Sequence, residues 1–108
     1  MEKIERDELK ASLDRGDPIR LVMTMHEPYF EAAHIPGSIR VSSVEDAAKL
    51  GPEDDIVVYC SHVACAASLI VGQKLIDAGY VHVRHFAGGL SEWEAAGYPL
   101  ETGPDEGR

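Results

Sequence analysis

The run Ile56-Val57-Val58-Tyr59 constrains this chain more than any other segment. All four residues favour extended backbone, because β-branched and aromatic side chains pack well on a pleated, half-buried surface. Acidic residues bound the run on one side and Cys60 on the other. Successive strand side chains point to opposite faces, and here both sets are apolar. Such a strand needs cover on both sides, which is the situation of a central strand in a parallel sheet.

The rest of the chain fits strands alternating with helices, the rhythm of an α/β fold. A short strand is expected around Ile4, then a helix over Asp7–Arg15 with an acidic first turn and Gly16 as its stop. Ile19–Thr24 reads as a buried strand, and Glu27–Ala33 as a helical stretch. Pro36-Gly37 is a turn before a short strand near Ser38–Val41. Ser42 or Ser43 is placed to cap a helix over Val44–Leu50, and Gly51–Asp55 reads as a solvated loop. A helix is expected from about Cys65 to Ala78, its apolar arc formed by Ala67, Leu69, Val71, Gly72, Leu75, Ile76 and Ala78. Val81–Phe86 reads as a strand, Gly88-Gly89 opens a last helix carrying Trp93, and Glu101–Arg108 reads as a polar tail. At 108 residues this is one domain, over 1–100 with the tail beyond.

Charge and cysteine content narrow the function classes. A formal net charge of −9 argues against a nucleic-acid footprint, which needs clustered Lys and Arg. No apolar run reaches the ~18 residues of a membrane span. The N-terminus alternates charges and lacks a secretory core, so a cytoplasmic location is expected. There, Cys60 and Cys65 read as chemistry before they read as a staple. No His-x-x-x-His follows them to complete a zinc site, and neither a metal nor an organic cofactor is expected.

The chemistry is expected where the strand Ile56–Tyr59 passes through Cys60-Ser61-His62-Val63-Ala64-Cys65 into a helix. Open α/β sheets bind ligands at the carboxyl ends of their strands. Successive backbone N–H groups in such a turn, with those of a helix N-terminus, form an anion-binding nest. A thiol there ionises more easily, since helix N-termini lower the cysteine pKa from about 8.5 to as little as ~3.5–7.5. The thiolate is the nucleophile.

Val57-Val58-Tyr59-Cys60, followed by a short loop and an amphipathic helix, resembles the active-site segment of the rhodanese family. His34-Ile35-Pro36-Gly37-Ser38-Ile39 resembles its His-Ile-Pro-Gly-Ala motif. Phe86-Ala87-Gly88-Gly89-Leu90-Ser91-Glu92-Trp93 and Ala96-Gly97-Tyr98-Pro99 resemble its C-terminal elements. The resemblance runs from about Ile4 to Leu100. It implies a single rhodanese-like α/β domain with a central, mainly parallel five-stranded sheet and helices on both faces. It also implies a six-residue loop, Cys60–Cys65, in a sulfurtransferase or persulfide carrier. Cys60 would be the nucleophile, and Ser61, His62, Val63, Ala64 and Cys65 would bind substrate. The partners implied are a small sulfur donor or protein persulfide and a thiol or cyanide acceptor. Related phosphatases have a loop one residue longer that ends in Arg, where this chain has Ala66.

Three departures bear on substrate. Many family members carry Gly at the fourth loop position and Arg or a hydroxyl residue at the sixth; this chain has Val63 and Cys65. Met23-Thr24-Met25 stands where an Asp-x-Arg is common. Fewer cations are left to hold a thiosulfate dianion, so backbone amides would have to hold it. Two other readings stay open: a non-catalytic interaction or sensing module, and a thiol redox enzyme using Cys60 and Cys65 as a couple. His62 reads as either a donor contact or an exposed loop side chain. His34 reads as structural, and Arg40 and Arg84 as solvated residues that could border the pocket.

Overall fold

The computed structural model describes residues 1–25, 27–41, 50–61 and 66–103. The elements are β1 (Glu2–Lys3), α1 (Arg6–Asp14), β2 (Ile19–Met23), α2 (Glu27–Ala32), β3 (Ile39–Arg40), β4 (Asp55–Tyr59), α3 (Ala67–Asp77), β5 (Val83–Phe86) and α4 (Gly89–Ala95). The five strands form one sheet in the order β1-β5-β4-β2-β3. Every pairing is parallel: Leu21 lies beside Val57, Val57 beside Arg84, Val22 beside Ile39, and Glu2 beside Arg84.

The two-sided apolarity of β4 has its expected consequence. Val57 and Tyr59 join one cluster with Leu9 of α1, Phe30 of α2 and Trp93 of α4. Ile56 and Val58 join another with Val71 and Leu75 of α3. Helices therefore cover both faces, and all four residues are fully buried. At about 25 cal/mol per Å² of apolar surface removed from water, these two clusters are the main stabilising force of the domain.

The structure departs from the sequence reading in several places. The apolar arc of α3 is narrower than expected: Leu69 is 48% exposed and Ile76 36%, while Ser68, Val71, Gly72 and Leu75 face the sheet. Positions 68, 71, 72 and 75 follow the i, i+3, i+4, i+7 spacing of one helical face, and residue 69 is rotated about 100° away from it. Gly72 lets the helix approach closely, since a Cβ there would come within 3.1 Å of Val58 Cγ2. Asp55, read as a loop residue, begins β4 and pairs with Arg84 at 3.1 Å. Val81, read as the start of the last strand, is 66% exposed, and the strand begins at Val83. Glu101 does not trail away as a tail. It forms an antiparallel bridge with His34, and Gly103 N–H donates to Glu31 O at 2.8 Å. The helix expected over Val44–Leu50 lies, apart from buried Leu50, outside the described residues. No helix among the described residues is long and apolar enough to cross a membrane.

Candidate functional site

β4 and β2 are neighbours at the centre of the sheet, and their outgoing connections diverge. From β4 the chain runs through α3, on one face, to β5; from β2 it runs through α2, on the other face, to β3. The crevice between two such connections, beyond the carboxyl ends of the strands, is where open α/β sheets place their ligands. Cys60 leaves β4 on one side of this crevice, and Thr24 and Met25 leave β2 on the other.

The last paired row across the sheet is Phe86, Tyr59, Met23 and Arg40. One residue further along each strand stand Ala87, Cys60, Thr24 and Val41. Thr24 N–H donates to Tyr59 O at 3.1 Å and Val41 N–H to Met23 O at 3.1 Å, which carries the ladder one step past the named strands. Cys60 is 2% exposed, and its Sγ lies 3.1 Å from Met25 Sδ. Cys60 is in the disulfide-bonded state. It has no S–H to donate in that state, so the contact is sulfur against sulfur.

The start of the loop is held from the far side by α4. Leu90 N–H donates to Cys60 O at 2.9 Å, and Ser91 N–H donates to Ser61 O at 2.8 Å. The first N–H groups of any helix lack partners within it; here two of them fix the backbone of the cysteine and its neighbour. Gly89 makes this entry with φ +64, in the left-handed region that glycine enters without a Cβ clash.

Of the residues expected in the site, Cys60 is at the end of the central strand and Ser61 is half-buried beside it. His62, Val63, Ala64 and Cys65 lie outside the described residues. Arg84 does not border the crevice: its Nη2 pairs with Asp55 at the opposite, amino-terminal end of β4. Arg40 is half-buried on β3, two strands from β4. His34 is 4% exposed, stacked on Phe30 at 4.0 Å between ring centroids, with Nδ1 donating to Phe30 O at 2.8 Å. That is a structural placement. Among the described residues no group of three or more His, Cys, Asp or Glu side chains is arranged to hold a metal ion.

Sequence reasoning missed two parts of this arrangement. Met25 was visible only as a departure from Asp-x-Arg, and its contact with Cys60 follows from the β2–β4 register. The amides of Leu90 and Ser91 carry no sequence signal at all, because any residue supplies them.

Comparison with known proteins covers nearly the whole chain. The family described as Rhodanese-like domain matches residues 5–96. The HTH-type transcriptional regulator Rv0324 of Mycobacterium tuberculosis is 34% identical over 107 residues, which is 96% of this chain and 46% of that protein. Thiosulfate sulfurtransferase 18 of Arabidopsis thaliana is 39% identical over 57 residues, 53% of this chain and 40% of that protein. The chain thus spans less than half the length of either relative. Among solved structures, the rhodanese-like domain of the Anabaena sp. Alr3790 protein superposes with a TM-score of 0.84 at 25% identity, covering 94% of this chain and 80% of that one. A thiosulfate sulfurtransferase from Pseudomonas aeruginosa superposes at 0.82 and 24% identity, covering 97% of this chain and 21% of that one.

Proposed function

We propose that this chain, which belongs to the rhodanese-like domain family, is a sulfurtransferase or persulfide carrier that holds sulfane sulfur on Cys60. The observation that carries the reading is the placement of Cys60 at the carboxyl end of the central strand, where the connections from β2 and β4 diverge to opposite faces of the sheet. The similarity to a thiosulfate sulfurtransferase over about half of the chain supports it.

The reaction begins from reduced Cys60, so a thiol first opens its disulfide. The Cys60 thiolate then attacks a sulfane sulfur, and the remainder of the donor leaves with the electron pair of the broken bond. A second thiolate or cyanide takes the outer sulfur from Cys60 and restores the thiolate. Dividing one transfer into two substitutions at a covalent intermediate is nucleophilic catalysis, and it gives ping-pong kinetics. In this scheme backbone N–H groups of the loop from Ser61 to Cys65 stabilise the persulfide anion. The substrates are a small sulfur donor or a protein persulfide and a thiol acceptor, in the cytoplasm.

Intact-mass analysis tests this directly. Reduced, desalted protein is incubated with thiosulfate, and separately with polysulfide or cysteine persulfide. The expected product carries one added sulfur mapped to Cys60, is cleared by cyanide, and does not form in Cys60→Ser. Absence of an adduct with every donor overturns the proposal.

A second reading is favoured by the identity to a transcriptional regulator, which extends over nearly all of this chain. In that reading the domain senses sulfur or thiol oxidation without turnover. Its signature is a Cys60 adduct or disulfide that forms readily but does not pass sulfur to an acceptor. Cys65→Ser separates a resolving thiol from a packing residue, because retained turnover dismisses the resolving role.

A further inference from the structure

We propose that Met25 selects the class of sulfur donor: its thioether gives the Cys60 site an uncharged, polarisable wall that favours an organic persulfide in its neutral R–S–SH form over the thiosulfate dianion. The inference rests on the persulfide reading of Cys60 and narrows it.

Met25 Sδ stands 3.1 Å from Cys60 Sγ, so it borders the sulfur atom that takes part in the transfer. The side chain is half-buried and packs against the cluster that contains Phe30 and Tyr59, which holds it in place across the crevice. A thioether carries no charge and no donor hydrogen, and accepts hydrogen bonds only weakly. On the Met25 side a dianion would give up water for a thioether that cannot pair with it, which leaves only the loop amides to offset the loss of hydration of two negative charges. The residues level with Cys60 along the sheet edge, Ala87, Thr24 and Val41, are uncharged as well. Arg84 is engaged with Asp55 at the far end of β4, and the net charge of −9 opposes the approach of anions over longer distances. A neutral persulfide presents soft sulfur to soft sulfur, where dispersion contacts replace ion pairing.

The transfer balances without an outside oxidant. Cys60 thiolate attacks the outer sulfur of R–S–SH, the Sγ–S bond forms, and the S–S bond of the donor breaks. The electron pair leaves on the donor's inner sulfur, which takes up the persulfide proton. The products are Cys60–S–S⁻ and R–SH.

The test compares loading rates of reduced, desalted protein by cysteine persulfide and by thiosulfate at equal concentration, read by intact mass. Wild type should load from cysteine persulfide at least about tenfold faster, and Met25→Arg should move that ratio about tenfold toward thiosulfate by placing a cation beside the reacting sulfur. Met25→Leu, uncharged and of similar size but without the sulfur, should still disfavour thiosulfate while loading more slowly from cysteine persulfide than wild type does. Met25→Lys repeats the measurement where the arginine variant does not fold. A wild type that prefers thiosulfate, or a ratio unchanged by both Arg and Lys, overturns the role of Met25 while leaving Cys60 as the carrier. A wild type that accepts sulfur from neither donor overturns both.

Discussion

The hydroxyl of Tyr59 closes a ring of hydrogen bonds between the end of β4 and the turn at residues 34–38. Ile35 N–H donates to Tyr59 Oη at 3.0 Å, and Ser38 Oγ donates to Ile35 O at 2.6 Å. With the Ser38 proton so used, Tyr59 Oη donates to Ser38 Oγ at 2.7 Å. Burial pushes the Tyr59 phenol well above its usual pKa, so it stays protonated and able to donate. Tyr59→Phe keeps the ring in the core but leaves a buried N–H and a buried hydroxyl short of a partner, at a cost of about 1–3 kcal/mol. For a domain of this size each kcal/mol lowers Tm by about 4–8 °C. Thermal unfolding should show that drop, and a Tm within a degree or so of wild type would mean the ring contributes little. Because the next residue is Cys60, the same substitution should also slow sulfur loading by loosening the strand end.

At the scale of elements, α4 does more than cover the sheet. Its first-turn amides hold Cys60 and Ser61, and its C-terminal end is fixed by Trp93 Nε1 donating to Pro99 O at 2.8 Å. Gly89→Ala forces a Cβ into the left-handed region at φ +64 and should cost about 1–2 kcal/mol in urea denaturation. Gly16 ends α1 at φ +79 with open space where a Cβ would go, so Gly16→Ala should cost a similar amount. The two variants should differ in function. Gly89→Ala should impair loading of Cys60 with sulfur, because the helix that holds the loop is displaced, and Gly16→Ala should load as wild type does. Equal loading by both variants would show that α4 does not position the site.

For the molecule as a whole, the two faces of the sheet are tied by different means. The face bearing α1, α2 and α4 is an aromatic-rich cluster in which Phe86 and Trp93 meet edge-on at 6.3 Å. On the α3 face the aliphatic cluster is joined by a buried polar pair, His85 Nε2 and Ser68 Oγ at 2.8 Å. Burial lowers the His85 pKa below its usual 6.5, with a smaller push from Lys3. The unfolded chain therefore binds a proton at a higher pH than the folded one, and stability rises with pH across that window. The contribution is fully present above about pH 6.5 and is lost progressively as the pH falls from there toward the lowered folded value. Urea unfolding free energies measured from pH 8 to 5 should decline through this range in wild type and decline less in His85→Gln. Parallel profiles for the two proteins would rule out His85 as the titrating group.

The amino-acid sequence by itself determined the α/β class, the central strand, the glycine stops and the location of a cysteine at the end of that strand. These depend on local causes: apolar runs on both faces of one short segment, φ values only glycine adopts freely, and the three motifs that resemble the rhodanese family. Only the tertiary structure decided which face of α3 is buried, that Asp55 extends β4 to meet Arg84, and that Glu101 returns to His34. It alone placed Met25 against Cys60 and turned the amides of α4 on the loop. Each of these is a contact between segments far apart in the chain, set by strand order and register. No segment read alone says which strand becomes its neighbour, because parallel strands are joined by crossover connections that bring together residues far apart in the chain.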